Sequence, residues 1–270
     1  MSHLPPYRIA PDTWVVGQLY QPPGAPVGVH LNSMIITGSE PVLVDTGAAM
    51  FQEEWMSAAW SVVDPEDVRW VVLSHEEPDH AGNILAVLDA CPQAQVVTSW
   101  FAVERLAAHH PLPMNRMRWL NDGDSLDAGD RKLVLVRPPI YDSPATRGVF
   151  DDRTDVYWAV DAFATPVLQP TADAAELADD FWEQGVKQFG SMVSPWHAVA
   201  DAKKFGASVD RISALSPSVV ATCHGPAVSG ARLEQAFGYL RELPGLPPAP
   251  LPTQADLEQI LSVLAKSENA

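Results

Sequence analysis

The chain has 270 residues, of which 47% are hydrophobic and 19% are charged, and its formal net charge is −17 at pH 7. A chain of this size can bury a full core, which predicts one α/β domain with short appendages. The excess of acidic residues argues against nucleic acid as a partner, because binding to phosphates depends on Lys and Arg. No apolar run could span a bilayer and the amino terminus lacks the pattern of a signal peptide, so we expect a cytoplasmic protein without membrane contacts.

The first third of the chain alternates predicted strands with turns and one helix. Apolar and β-branched runs of the length of strands are bounded by turn residues such as Gly38 and Pro41. The run 70–73 has the composition of a buried strand, and His75 follows where this strand would open into a loop. In chain order the predicted elements are strands at 13–16, 33–37 and 42–44, a helix over 51–63, and the strand 70–73.

The rest of the domain repeats the alternation of strands and helices. Asp161 and His224 each follow an apolar strand, as His75 does, so three strand ends are expected to converge on one site. The predicted elements are a helix over 83–88, strands at 94–98, 132–136 and 156–160, a helical region over 174–215 broken near Ser194-Pro195, and a strand at 219–222.

The carboxyl-terminal part is predicted as a proline-rich linker followed by an amphipathic helix. We therefore expect one domain over residues 1–240 and an appendage over 241–270. Apolar residues at helical spacing, Leu257, Ile260, Leu261 and Leu264, predict that this helix packs on the domain as a cap, and recruitment of a partner is the alternative.

Four side chains of the kinds that bind metals follow the strand at 70–73. In the pattern His75-x-Glu77-x-Asp79-His80, alternate residues of an extended segment point to one side, and His80 follows as the chain turns. These four side chains are predicted to face one point and to hold metal. Cys91 and Cys223 form no CxxC pattern, so they are interpreted as buried small side chains and not as zinc ligands.

The segment 74–83, Ser-His-Glu-Glu-Pro-Asp-His-Ala-Gly-Asn, resembles the di-iron motif of flavodiiron proteins, a branch of the metallo-β-lactamase superfamily. The resemblance implies the αββα sandwich of the metallo-β-lactamase fold, in the α/β class. It extends over roughly residues 10 to 235, because further matching segments occur in the order that the family shows. They are 91–94, 122–124, 142–143, 161–163 and 224–226.

The resemblance also implies how the ligands are shared between two metal ions. One metal would be held by His75 and Glu77, and Asp161 would bridge the pair. The other metal would be held by Asp79, His80 and His224. Glu77 stands where hydrolytic members of the superfamily usually carry a histidine, and a carboxylate there makes the site harder and favours iron or manganese over zinc. The expected cofactors are therefore two iron ions, with zinc or manganese as alternatives.

One family ligand is missing from this sequence. The family places a further histidine on the first metal, shortly before the pair that matches Asp142-Ser143, but no histidine stands between His110 and His197. The first position is therefore expected to be only partly filled. Water is the first candidate to complete it, and Tyr141, Asp142 and His197 are the alternatives.

Flavodiiron enzymes continue into a flavodoxin-like domain whose FMN supplies electrons. In this chain the last motif leads into the proline-rich segment, which predicts a protein without FMN, similar to oxygen-binding di-iron proteins. A separate electron donor would then be needed for turnover. By analogy with the family, we also expect a homodimer.

The sequence thus favours a non-haem di-iron protein that binds or reduces O2 or NO. Tyr141 is a candidate catalytic group, because a phenolate can bind ferric iron beside Asp142. The alternative is a hydrolase of an ester, thioester or lactone, in which metal-bound hydroxide attacks and Asp79 accepts the proton. A third possibility is a domain that keeps the fold, has lost metal and serves as an interaction module. Asp45 is predicted either to orient the metal-binding loop or to form a turn only.

Overall fold

The computed structural model describes residues 4–23 and 25–267. Two β-sheets lie face to face, and helices cover the outer face of each sheet. This is the αββα sandwich predicted from the resemblance, so the predicted fold class is confirmed.

The first sheet has seven strands in the order β1 to β7. Its first four strands are antiparallel neighbours, whereas β4 to β7 run parallel because helices connect them. The strands are β1 (Tyr7–Ala10), β2 (Thr13–Tyr20), β3 (Val29–Ile36), β4 (Val42–Val44), β5 (Trp70–Val72), β6 (Gln95–Thr98) and β7 (Met117–Trp119).

The second sheet has six strands in the order β13-β12-β11-β10-β9-β8. Only β11 and β12 are parallel neighbours, and therefore both end at the same edge of the sheet. The strands are β8 (Ser125–Asp127), β9 (Lys132–Val136), β10 (Gly148–Asp151), β11 (Val156–Trp158), β12 (Val219–Ala221) and β13 (Val228–Ser229).

Helices cover the two sheets from outside. Helices α1, α3 and α4 contribute to the core beneath the first sheet, and α5, α6 and α7 to the core beneath the second. They are α1 (Gln52–Trp60), α2 (Pro78–Ala81), α3 (Ile84–Ala90), α4 (Trp100–Ala107), α5 (Asp179–Val193), α6 (Ala202–Ser213), α7 (Ala231–Glu242) and α8 (Gln254–Ser267). Over the described ranges, no helix combines the length and apolar character needed to cross a membrane.

The layer between the sheets fixes their relative position. Val44 and Val72 from the first sheet pack against Val149 and Trp158 from the second, and all four are fully buried. Burying a valine side chain of this kind contributes about 1.5–3 kcal/mol. The strand ends that carry the candidate ligands are therefore held on a rigid base.

Several elements were not predicted, and the appendage differs from expectation. They include helices α4 and α7 and the edge strands β1, β7, β8 and β13, which have only two to four residues each and depend on their neighbours in the sheet. Leu257 and Leu261 of α8 are 46% and 54% exposed. These two side chains therefore do not pack on the domain in the way that the sequence predicts. The boundary at residue 240 stays a prediction, and Leu243 still lies in the core.

Candidate metal centre

The predicted ligands lie at one edge of the sandwich, between the two sheets. His75 follows β5 of the first sheet, and Asp79 and His80 lie on the short helix α2 that comes next. Asp161 and His224 follow the parallel strands β11 and β12 of the second sheet. The strand ends thus converge as the sequence predicts, because parallel strands deliver their carboxyl ends to one edge.

A strained turn places Asp161 at the centre. Val160 and Phe163, on either side of it, have φ angles of +59° and +64°, which residues other than glycine rarely adopt. The end of β12 holds this turn, because the Thr222 hydroxyl donates to the Val160 carbonyl oxygen at 2.6 Å. The neighbouring strand therefore supports the conformation that turns the Asp161 carboxylate into the site.

The Asp161 carboxylate faces three imidazoles. Its Oδ2 lies 3.6 Å from Nε2 of His75, and its Oδ1 lies 3.2 Å from Nε2 of His80 and 3.2 Å from Nε2 of His224. The two oxygens thus face different histidines. This is the arrangement required of a carboxylate that bridges two metal ions.

The remaining candidate ligands form one group on each side of Asp161. On the first side, Nε2 of His75 lies 3.9 Å from Glu77 Oε2 and 3.7 Å from Asp142 Oδ1. On the second side, Asp79 Oδ2 lies 3.3 Å from His224 Nε2. Within each of the groups His75/Glu77/Asp142 and Asp79/His80/Cys223/His224, the ligand atoms lie within 4.8 Å of one another.

Each histidine is oriented through its other ring nitrogen. The Nδ1 atom of His80 lies 2.9 Å from Asp45 Oδ2, and Nδ1 of His224 lies 3.0 Å from the His30 carbonyl oxygen. The Nδ1 atom of His75 lies 3.2 Å from the Ser74 hydroxyl. A proton on Nδ1 leaves the Nε2 lone pair directed into the site, as in histidines that bind metals.

Asp45 anchors this arrangement from a fully buried position at φ +63°. It accepts hydrogen bonds from the Ser74 backbone N–H at 2.7 Å, from the Ser74 hydroxyl at 2.8 Å and from the Trp158 indole N–H at 3.1 Å. Asp45 therefore connects β4, the loop of His75 and the second sheet. These contacts support its predicted orienting role over a role in the turn alone.

The chemistry of the unpaired atoms fits a cation. The Nε2 atoms of His75 and His80 and both oxygens of Asp161 are buried, yet none makes a hydrogen bond to any described residue. Buried polar atoms without partners are rare and cost about 1–3 kcal/mol each. Their lone pairs converge between two carboxylate-bearing groups, so the donor set suits two metal ions.

The pKa values reflect this concentration of charge. Burial, with the Asp142 and Asp161 carboxylates nearby, raises the pKa of Glu77 to about 7. Burial and Asp161 also raise the pKa of Asp142. Although burial opposes it, the surrounding imidazoles of His75, His224 and His80 hold the pKa of Asp161 well below its ordinary value. A cation between these groups would relieve the repulsion between carboxylates.

A polar clamp joins the two loops of the first group. Glu76 accepts hydrogen bonds from the Ser143 hydroxyl at 3.0 Å and from the Arg105 guanidinium of α4. Glu76 separates His75 from Glu77, and Ser143 follows Asp142. The clamp therefore holds the Asp142 loop next to the loop that carries the other two side chains.

The other candidates have different surroundings. The Tyr141 ring lies 4.9 Å from the Trp196 ring, beneath the Arg137 guanidinium, and lines a separate cavity of about 320 Å³, so its role as a ligand stays a prediction. His197 is fully buried and is in none of the clusters of potential ligands formed by residues 4–23 and 25–267. Cys223 is buried in the core between the sheets, as the sequence predicts, and it also lies close to the second group. Its position directly before His224 was the signal available in the sequence.

Known proteins resemble this chain over most of its length. Relatives include a protein of Thermosynechococcus vestitus named diflavin flavoprotein A 1, 31% identical over 74% of this chain and 34% of its own length. The anaerobic nitric oxide reductase flavorubredoxin of Vibrio vulnificus is 26% identical over 73% of this chain and 40% of its own length. The chain thus spans well under half of these relatives.

Solved structures show the same fold. The rubredoxin oxygen:oxidoreductase of Desulfovibrio gigas superposes with a TM-score of 0.76 at 19% identity, over 88% of this chain and 61% of that protein. The flavodiiron protein of Giardia intestinalis gives 0.76 at 17% identity, over 90% of this chain and 60% of its own. The model of the family described as ODP family beta lactamase matches residues 29–225. The chain therefore belongs to this family, within the metallo-β-lactamase fold shared by flavodiiron proteins.

Proposed function

We propose that this protein is a non-haem di-iron protein that binds or reduces O2 or NO, using a separate electron donor and no flavin of its own. His75 and Glu77 would hold the first iron, and Asp79, His80 and His224 the second, with Asp161 between them. Bound iron would supply the change of oxidation state that chemistry with O2 or NO requires. The protein would supply the orientation of ligands and the dry surroundings.

One observation carries the proposal: buried and unpaired Nε2 and carboxylate atoms converge at the strand ends, while Nδ1 of each histidine is held from behind. Orphaned atoms of this kind are costly unless a ligand satisfies them. Glu77 makes one side of the site rich in carboxylates, which favours iron or manganese. The names of the relatives, a nitric oxide reductase and an oxygen oxidoreductase, support O2 or NO as the ligand.

The space beside the second group suits a small apolar molecule. A cavity of about 490 Å³ opens on Asp79 and His224, and the Phe189 ring lies 5.3 Å from the His224 ring. Its other lining residues are largely apolar: Tyr20, Val29, Leu31, Ala48, Ala49, Met50 and Pro78. O2 and NO lose little free energy of hydration when they enter an apolar cavity. A strongly polar substrate would lose its hydrogen bonds to water there, which is costly.

The proposal is tested by metal analysis and gas reactivity. Protein produced with iron and without added zinc should contain two iron ions per chain, and the reduced form should react with O2 or NO in the presence of a chemical reductant. His224→Ala should lose metal and this reaction, whereas His110→Ala should keep both, because His110 is in none of the clusters of potential ligands among the described residues. Two zinc ions together with turnover of a thioester or lactone would instead establish the hydrolase.

All the segments that resemble flavodiiron proteins belong to the metal-binding domain, and none belongs to a flavodoxin-like domain. We expect the purified 270-residue chain to show no flavin absorption band. A band at one flavin per chain would contradict this, and the source of electrons would then lie within the protein.

A further inference from the structure

We propose that the two metal positions are chemically unequal and select different metals, the first preferring manganese or iron and the second tolerating zinc. This inference rests on the dinuclear site of the proposed function and deepens it. It follows from Asp142, whose carboxylate lies 3.7 Å from His75 Nε2 on the side that lacks the family histidine, and from the Cys223 thiol, which lies close to the ligand atoms of the other side.

The first position is built almost entirely from carboxylates. His75 supplies one imidazole, and Glu77, Asp142 and Asp161 supply oxygen. The Asp142 oxygen lies 3.7 Å from His75 Nε2, a separation that one ion binding both atoms would leave, and His75 Nε2 is buried without a hydrogen bond among the described residues. The sequence left four candidates open for completing the first metal position, and the geometry supports Asp142 among them.

The position of Asp142 is reinforced from outside. The hydroxyl of the next residue, Ser143, donates to Glu76, and the Ser143 hydroxyl also accepts from the Ala145 N–H at 3.1 Å. The carboxylate therefore comes from a loop that is tied to the loop of His75 and Glu77. A side chain held in this way needs little further ordering to bind an ion.

The second position is softer. His80 and His224 supply two imidazoles, and the thiol of the fully buried Cys223 lies within 4.8 Å of their ring nitrogens and of the Asp79 carboxylate. Imidazole and thiolate favour zinc and ferrous iron, whereas carboxylates favour manganese and other hard ions. The same protein therefore presents one hard and one soft position on either side of the Asp161 carboxylate.

The test uses the full chain after removal of metal by chelation. Apoprotein is incubated with manganese in large excess over buffered zinc, and bound metal is measured by elemental analysis and by electron paramagnetic resonance. We expect one manganese and one zinc per chain, with the resonance of an isolated manganese ion. Asp142→His should lower the ratio of bound manganese to zinc roughly tenfold, since imidazole replaces a hard ligand.

Two further variants separate binding from folding. Asp142→Asn keeps the size but removes the charge, and it should lose the manganese while keeping the zinc. Asp89→Asn, on an exposed part of α3, removes the same charge and should behave as the wild type. Cys223→Ser should weaken zinc retention and leave manganese in place. Far-ultraviolet circular dichroism should be unchanged in all of them.

The outcomes distinguish this inference from the proposed function. Two equivalents of one metal in the wild type, or Asp142 variants that match Asp89→Asn, would overturn the unequal preference but leave a dinuclear site. Failure of the wild type to bind manganese, zinc or iron at all would overturn the proposed function itself.

Discussion

Two clusters of buried charge occupy opposite ends of the sandwich, and only one of them is internally complete. At the end of the sandwich opposite the candidate metal centre, Arg131 is 5% exposed, and its guanidinium pairs with Asp12, Asp130 and Asp151. At the other end, Asp161 and the imidazoles have buried atoms without hydrogen bonds. Both clusters join the two sheets, so the difference does not reflect their place in the fold.

The difference teaches how to recognise a site in a buried polar cluster. A structural cluster neutralises its own charges, because uncompensated buried charge is costly. A binding cluster leaves lone pairs free and holds the side chains from behind, as Asp45 holds His80.

The largest effect is expected in the complete cluster. Arg131→Met would leave the fully buried Asp151 without its guanidinium partner, which lies at 2.8 Å. We expect the free energy of unfolding, measured by urea denaturation, to fall by about 3–5 kcal/mol. Arg153→Met, which removes a half-exposed partner of Asp130, should cost less than about 1 kcal/mol. Metal content should be normal in both, and a metal loss in Arg131→Met would erase the distinction.

Metal removal should destabilise the other end by a similar amount. Metal that binds only the folded protein stabilises it by about 4 kcal/mol at a thousandfold excess over Kd. We therefore expect the thermal transition of the apoprotein to rise on addition of iron under reducing conditions. The rise should persist in Arg153→Met and disappear in Asp161→Asn. An equal rise in Asp161→Asn would show that the metal binds elsewhere.

A moderate effect is expected from the residue that orients His80. Asp45→Asn keeps the shape of the side chain, and asparagine tolerates the positive φ of this position. The amide has no negative charge, so it is a weaker hydrogen-bond acceptor for His80 Nδ1 than the carboxylate. We expect metal affinity to fall about 10–100-fold, measured by competition with a chelating dye. Asp12→Asn, the matched change in the Arg131 cluster, should leave the affinity unaltered. A similar loss in both variants would point to a general weakening of the fold.

The smallest effect is expected at Tyr141. Its ring packs on Trp196, and its backbone N–H donates to the Ser194 hydroxyl at 2.9 Å. Tyr141→Phe keeps this packing, so we expect metal content to be unchanged and stability to change by about 0.5 kcal/mol at most. The visible spectrum of the ferric protein decides its predicted catalytic role. A charge-transfer band that vanishes in Tyr141→Phe would establish the phenolate as a ligand.

Much of this protein could be predicted from the sequence because its signals are local. The period of apolar residues predicted the central strands, and the spacing of His75, Glu77, Asp79 and His80 predicted a metal-binding loop after a buried strand. Asp161 and His224 could be placed because each follows an apolar strand. The edge strands could not, since segments of two to four residues show no readable period and depend on what they pack against.

The tertiary structure alone decided which side chains share a site across long distances in sequence. Asp142 was one of four alternatives from the sequence, and its approach to His75 depends on the clamp between Ser143 and Glu76. Cys223 packs in the core, as the sequence predicts, and the end of β12 also brings it close to the second group. Local periodicity determines where strands end, but the stacking of two sheets determines which ends meet, because that stacking depends on contacts between residues far apart in the chain.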